Sequence, residues 1–275
     1  MTQPPQPNAV AIDGATRILA IVGDPIVQAK SPLLYNPRIA RAGRNAVLVP
    51  WHAPEAHFDA VMAGLMRTGN VDGIVVTFPF KQRAMALADR HGRMAGLVGA
   101  LNALRREADG SWTGDMFDGV GLVRAVAATG ASVAGRRVKL LGAGGAGSAI
   151  AYALADAGAA SVSIFDRDTA RAAATAAGVT GQFPGCAAAP GGPELGDVDL
   201  LVNATTVGLA ADDGLPVPLP DLSPATLVVD IVPRTGGTAL LAFARDRGCP
   251  HVAGPAMVEG QADAVLEFFG ISAAG

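Results

Sequence analysis

The sequence predicts an α/β protein whose sheets are parallel or mostly parallel and covered by helices. Short β-rich runs alternate with helical patterns along nearly the whole chain, which is the order such sheets require. A glycine-rich turn, LLGAGGAGSA (140–149), closes one strand-like run and opens a helical one. Half of the 275 residues are hydrophobic and 16% are charged, enough apolar material for two ordinary domains or one large one.

The elements follow in order. ILAIV (18–22) predicts a strand, and SPLLYNPRIARAGR (31–44) a helix made irregular by its prolines. AVLVPW (46–51) and GIVVT (73–77) predict strands, with PEAHFDAVMAGLMRTG (54–69) a helix between them that stops at Gly69. FPFKQRAMALADRHG (78–92) has a helical pattern, with Pro79 near the first turn, where its missing N–H costs nothing. A second series starts at Arg137. RVKLLGAGG is strand and turn, AGSAIAYALADAG a helix, and SVSIFD (161–166), DLLVNAT (199–205) and TLVVDIV (226–232) are strands. The stretch from Thr180 to Asp197 is rich in Gly, Pro and Ala and predicts surface loops. GPAMVEGQADAVLEFFG (254–270) is a last helix that fits either domain.

Composition excludes several classes of function. With 24 acidic and 21 basic residues the net charge is −3, and no basic face is available for nucleic acid or an anionic membrane. Two cysteines, Cys186 and Cys249, do not make a disulfide framework, so a cytoplasmic location is expected. The first 16 residues lack a basic and apolar secretory pattern and predict a flexible lead-in. The uncharged run between Lys139 and Asp156 is shorter than the ~20 residues of a membrane helix. No His/Cys/Asp cluster has the spacing of a metal site.

In the glycine-rich turn, Gly142, Gly144 and Gly147 match G-x-G-x-x-G. The first allows a tight turn, the second a close approach to a pyrophosphate, and the third tight helix–strand packing. The helix N-terminus offers N–H groups to the anion. A simple packing turn would use glycine as well. Asp166, near the end of the next strand, favours a dinucleotide, because a carboxylate there accepts hydrogen bonds from ribose hydroxyls. Asp166 and Asp168 would repel a 2′-phosphate, so NAD is the favoured cofactor. Arg167 between them keeps NADP open.

Three loop ends carry polar residues in apolar surroundings. Thr77 ends a strand and Lys81 follows in TFPFK, where the positive end of a helix dipole would disfavour its charge and suit proton exchange. A solvated helical lysine has the same spacing. Asn102 stands alone in VGALNAL, and Asp118 in GDMFDGVG precedes a glycine at a helix start, where an N-cap is the alternative. Residues at such ends converge on the carboxyl edge of a parallel sheet, where open α/β sheets bind ligands. The four histidines, His52, His57, His91 and His251, sit in no comparable motif.

The ordered set of motifs resembles the shikimate/quinate dehydrogenases. GDPIVQAKSP (23–32) is similar to the family's Gly-Asn-Pro…Ser-Lys-Ser-Pro loop, TFPFK to Thr-Val-Pro-Phe/His-Lys, and ALNAL to Ala-Val-Asn-Thr. GDMFDG is similar to Gly-x-Asn-Thr-Asp-Gly, NATTVG (203–208) to Asn-Ala-Thr-x-x-Gly-Met, and GPAMVEGQA (254–262) to Gly-x-x-Met-x-x-x-Gln-Ala. The resemblance implies a substrate-binding α/β domain (17–117 and 253–275), completed by the C-terminal helix, and an inserted Rossmann NAD(P)-binding domain (118–252), with the active site in the groove. It implies reversible oxidation of a ring hydroxyl of a cyclic hydroxy-acid, shikimate or quinate, by a monomer or homodimer. Lys81 would move the hydroxyl proton and Asp118 would orient Lys81. Ser31, Thr77, Asn102 and Gln261 would hold substrate. Gly142, Ala143, Gly144, Gly145, Ala146, Gly147, Asp166, Arg167 and Asp168 would hold the adenosine and pyrophosphate. Ala204, Thr205 and Ile231 would also bind the cofactor, and Asn203, Gly254 and Met257 would lie near the nicotinamide.

The chain departs from the family pattern at Ala29, Met116, Phe117 and Pro233, where polar residues are usual, and in Asp166-Arg167-Asp168, where NADP-using members often carry Asn-Arg-Thr. Lost polar contacts suggest a paralogue acting on another alicyclic hydroxy-acid, or a non-catalytic nucleotide or metabolite sensor. The retained Lys81 and Asp118 argue against the sensor.

Overall fold

The computed structural model describes residues 12–219, 222–234 and 236–272. Of the expected lead-in, residues 1–11 lie outside the described residues. Asp13 to Thr16 form a turn in which the buried Thr16 hydroxyl donates to Asn45 Oδ1 at 2.8 Å. By their contacts the residues form two compact units. The first holds the chain up to Gly92, Leu101–Asp115 and the stretch from Ala262 onward; the second holds Arg93–Ala100 and Met116–Gln261. Contacts group residues 93–100, 116–117 and 253–261 with the second unit, whereas the sequence boundaries assigned all three stretches to the substrate-binding domain.

In the first unit the strands are β1 (Arg17–Gly23), β2 (Ala46–His52), β3 (Val71–Val76), β4 (Arg90–His91), β5 (Ala103–Arg106) and β6 (Trp112–Asp115). Their order is β2-β1-β3-β5-β6-β4. β1 is flanked by parallel β2 and β3, and its residues Leu19 to Gly23 are buried, which accounts for a continuous apolar run instead of an alternating one. β5 runs antiparallel to β3 and to β6, with which it forms a hairpin around Gly110, whose φ of +86° suits glycine, and β4 pairs parallel with β6.

Helix α1 (Ser31–Arg41) carries Pro32 in its first turn and Pro37 inside, and ends three residues before the predicted limit. Gly43, at φ +66°, closes it, with the Arg44 N–H donating to Ile39 O. The second predicted helix begins with a 3₁₀ turn at Glu55–His57 before α2 (Phe58–Arg67). Residues 78–92 are not an α-helix: only a short 3₁₀ turn, Arg83–Leu87, forms. Tertiary pairing overrides the helical pattern. Asp89 N donates to Trp112 O and Gly92 N to Gly114 O, both at 2.8 Å, drawing the chain out beside β6.

The second unit contains α3 (Arg93–Val98), α4 (Asp118–Ala127), β7 (Arg137–Leu141), α5 (Gly145–Asp156), β8 (Ser161–Phe165), α6 (Thr169–Gln182), β9 (Ala187–Pro190), β10 (Leu200–Asn203), β11 (Leu227–Asp230), α7 (Ala239–Asp246) and β12 (His251–Ala253). Helix α8 (Gly254–Phe268) begins here and ends in the first unit. All six strands are parallel in the order β12-β11-β10-β7-β8-β9. This is the doubly wound order, with its switch point between β7 and β10. The predicted loop region 180–197 contains the end of α6 and the edge strand β9, which pairs with β8 through Ser161 to Ile164. One face of the sheet packs Val138, Leu140, Val162 and Ile164 under α4, α5 and α6. The other packs Leu141, Leu201 and Val228 under α7. Among the described residues no helix is long and apolar enough to cross a membrane.

Candidate active site

In the first unit, three loops meet at the carboxyl ends of β1 and β3. Asp24 N donates to Phe78 O (3.0 Å) and Thr77 N to Val22 O (2.9 Å), joining the loop after β1 to the turn after β3. A Cβ on Gly23 would collide with the Thr77 methyl, so the two segments touch only because residue 23 is glycine. Leu101 N donates to Lys81 O at 2.9 Å, and Val76 N to Asn102 O at 2.8 Å. The turn carrying Lys81 and the loop carrying the buried Asn102 are thus stitched together through their backbones. Phe80 anchors this turn: it is buried and its ring stacks on Phe58 at 4.1 Å.

Lys81 lies in a turn before the 3₁₀ segment, so the helix-dipole argument made from sequence does not hold for it. Ser31 is the first residue of α1, after the N-cap Lys30. In the loop before it, the Gln28 side-chain N–H₂ donates to Pro25 O (2.7 Å) and the Ala29 N–H to Ile26 O (2.9 Å). Gln28 is therefore tied into its own loop, beside the position where Ala29 replaces a serine. His52 Nε2 lies 2.8 Å from Asp24 Oδ1, and His91 Nε2 3.0 Å from Met85 O.

In the second unit, Asp118 is the first residue of α4 and is buried, with Phe117 at the N-cap position. Asp118 is therefore not the cap, and a carboxylate in this first turn is favoured by the helix dipole. Its helix is held by close packing: a Cβ on Gly119 would collide with Ala153 Cβ, and one on Gly121 with the Met257 carbonyl. The latter contact seats α4 against the part of α8 that carries Met257 and Gln261. Met116 is buried among Ala100 and Ala149, with Met94 and Val98 beside them. It is a core residue of this unit.

The glycine turn has the geometry that its spacing predicts. Gly142 has φ +96°, and a Cβ there would come within 2.7 Å of Ala204 O. A Cβ on Gly147 would collide with Gly142 O, whereas one on Gly144 would meet nothing within 4 Å. The first and third glycines are thus sterically required, and the second leaves open space beside the first turn of α5. The N–H groups of that turn have no intrahelical acceptors. Free N–H groups beside open space are a suitable setting for an anion. Ser148 locks it from behind, donating to Ala143 O (3.0 Å) and meeting Thr175 Oγ1 at 3.1 Å.

Asp166 accepts from Ala143 N (2.7 Å) on one oxygen and from Asp168 N (2.8 Å) on the other. A carboxylate has about four acceptor positions, so ribose hydroxyls still have partners. Asp168 caps α6, accepting from Arg171 N (3.1 Å), and pairs with the Arg171 guanidinium at 3.4 Å. Arg167 is exposed.

Beyond β10 and β11 the sequence reading missed a buried network. Asp230, fully buried, accepts from Asn203 Nδ2 (3.0 Å), Val232 N (3.1 Å) and the Thr238 hydroxyl (2.5 Å). Asn203 Oδ1 in turn accepts from Thr205 N (3.1 Å) and the Thr205 hydroxyl (2.7 Å). Burial pushes the Asp230 carboxyl above the usual carboxylate range, against the pull of those three donors. The only sequence signal was an aspartate closing an apolar strand, TLVVD. Lys139, in the middle of β7, is also buried and donates to Ser163 Oγ (3.2 Å) and Gly192 O (2.6 Å). Burial lowers its pKa, opposed by the nearby Glu194. Among the described residues, no group of three or more His, Cys, Asp or Glu side chains is placed to hold a metal ion.

A family model described as the shikimate dehydrogenase substrate binding domain matches residues 21–104. The shikimate dehydrogenase (NADP(+)) of Rubrobacter xylanophilus is 39% identical over 256 residues, covering 90% of this chain and 88% of its own. Among solved structures, a shikimate dehydrogenase in complex with NADP+ has a TM-score of 0.88 at 25% identity, covering 98% of this chain and 95% of its own. The Listeria monocytogenes shikimate 5-dehydrogenase in complex with shikimate and NAD has a TM-score of 0.83 at 28% identity, covering 98% and 94%. The doubly wound unit with its glycine cradle, the stitched loops of the first unit and a relative this similar over nine-tenths of the chain lead to one conclusion: the protein belongs to the shikimate/quinate dehydrogenase family of NAD(P)-dependent oxidoreductases.

Proposed function

We propose that this protein catalyses the reversible oxidation of a ring hydroxyl of shikimate to the 3-dehydro ketone, with Lys81 and Asp118 as the proton-transfer pair. The observation that carries the reading is the backbone stitching of the Lys81 turn to the Asn102 loop through Leu101 N and Lys81 O. It joins the backbone of the turn that carries Lys81 to the loop that carries the buried Asn102, at the carboxyl edge of β3. Lys81 takes the hydroxyl proton when the alcohol is oxidised and returns it when the ketone is reduced. A nicotinamide cofactor, when bound, would supply the hydride-transfer chemistry. Asp118, rigidly seated at the start of α4, orients Lys81. Ser31, Thr77, Asn102 and Gln261 hold the substrate's carboxylate and remaining hydroxyls.

The cradle Gly142–Gly147 holds the pyrophosphate, and Asp166 the adenosine ribose. Asn203, Ala204, Thr205, Ile231, Gly254 and Met257 line the nicotinamide side. Asp166, held by two backbone donors, presents a carboxylate where a 2′-phosphate would sit, and this supports NAD as the favoured cofactor. The relatives' names carry NADP(+), so cofactor choice would separate this chain from them. The setting is cytoplasmic.

Absorbance at the reduced-nicotinamide band, with shikimate and quinate against NAD and NADP, tests the reading. Shikimate-dependent reduction with a higher kcat/KM for NAD is expected. No turnover of shikimate with either nucleotide would overturn the activity, and a higher kcat/KM with NADP would overturn the cofactor preference.

A further inference from the structure

We propose that Asp230 is a positioning residue for the nicotinamide-side loops. The inference rests on the dinucleotide reading above and adds a residue that this reading does not use. Asp230 ends β11 directly across from Asn203, which ends β10. Its carboxylate gathers donors from three separate segments: the Asn203 side chain, the Val232 N–H in the turn after β11, and the Thr238 hydroxyl at the N-cap of α7. Asn203 passes the constraint on. Its amide oxygen holds Thr205 and its N–H₂ donates to Val207 O at 3.2 Å.

Two close contacts link this network to the rest of the cofactor residues. A Cβ on Gly142 would press on Ala204 O, so the segment after β10 backs the glycine cradle. A Cβ on Gly254 would strike the carbonyls of Ile231 and Val232, so the turn after β11 backs the start of α8. Asn203, Ala204, Thr205, Ile231 and Gly254 therefore all rest, directly or through one neighbour, on the Asp230 carboxylate. The adenosine end does not: Asp166 is held by Ala143 N and Asp168 N. Removing the Asp230 carboxylate should loosen the nicotinamide side far more than the adenosine end.

The test compares binding of the whole dinucleotide with binding of ADP, which lacks the nicotinamide half, by calorimetry, alongside kcat. Asp230→Ala and Thr238→Val are expected to leave ADP affinity within about twofold, weaken the dinucleotide about 10-fold, and lower kcat about 10- to 100-fold, the scale of a small misplacement. Thr238→Ser keeps the hydroxyl and should restore wild-type values. If Asp230→Ala does not fold, Thr238→Val and Thr238→Ser carry the comparison. Equal losses of ADP and dinucleotide affinity would assign the network a purely structural role and overturn the proposal. So would wild-type kcat and dinucleotide affinity in a folded Thr238→Val. Wild-type protein that turns over no shikimate, with the ADP-to-dinucleotide contrast intact, would sink the proposed activity and leave the role of Asp230 standing.

Discussion

In the second unit six strands run parallel, and only residues that follow a strand reach the carboxyl edge of the sheet. The first unit differs: β1, β2 and β3 are parallel, and β5 then runs back against β3. That reversal brings the residue before β5 to the same edge as the residues after β1 and β3. Asn102 precedes β5, whereas Thr77 and Lys81 follow β3, yet Val76 N bonds to Asn102 O and Leu101 N to Lys81 O. A uniform edge with one switch point suits a ligand gripped mainly by backbone, such as a dinucleotide. An edge fed from both chain directions gathers diverse side chains, as a small polyhydroxy acid requires.

This contrast can be broken at four places. The largest expected effect is at the glycine cradle. Gly147→Val puts side-chain atoms into the Gly142 carbonyl, and dinucleotide affinity should fall about 100-fold by calorimetry. Affinity within threefold of wild type would show that the cradle does not bind the anion. Asp118→Asn comes next: kcat should drop about 10- to 100-fold with dinucleotide affinity unchanged. Unchanged kcat would remove Asp118 from the proton path.

Gly73→Ala sharpens the comparison on the other side. Its Cβ would lie 2.8 Å from the Phe269 ring, which packs on β3. A loss of about 1–3 kcal/mol in denaturant unfolding is expected, with ADP affinity intact. Unaltered stability would mean the C-terminal stretch contributes little to the first unit. The smallest effect concerns Lys139. Burial places its folded-state pKa below the ordinary 10.5. Between the two values the unfolded chain binds more protons, so stability from this group rises with pH across that interval. Urea denaturation from pH 8 to 10 should show that rise in wild type and a flatter profile in Lys139→Met. Identical profiles would contradict the burial argument.

The same contrast explains what was legible in the sequence. The glycine turn was readable because its constraints are local: a positive φ at Gly142 and a collision at Gly147 are fixed within six residues. The parallel core strands were readable because burial on both faces demands continuous apolar runs. The β5–β6 hairpin was missed because its strands are four residues each and carry Arg105 and Arg106. Its signal was Asp109-Gly110, a turn pair between short β-rich flanks. Residues 78–92 misled for a related reason, since their partner, β6, lies some 20 residues further on. β9 was hidden by its alanines. Asp230 could not be found from sequence, because its role depends on Asn203 and Thr238, which meet it only in three dimensions.

The central claim of the proposed function is that Lys81, in the first unit, moves the hydroxyl proton without contributing to nucleotide binding. Shikimate-dependent reduction of NAD or NADP by Lys81→Ala, measured beside its dinucleotide affinity, tests it most directly. The account predicts kcat lower by about 10² to 10⁴ with dinucleotide affinity unchanged. A Lys81→Ala protein that turns shikimate over at the wild-type rate would contradict it.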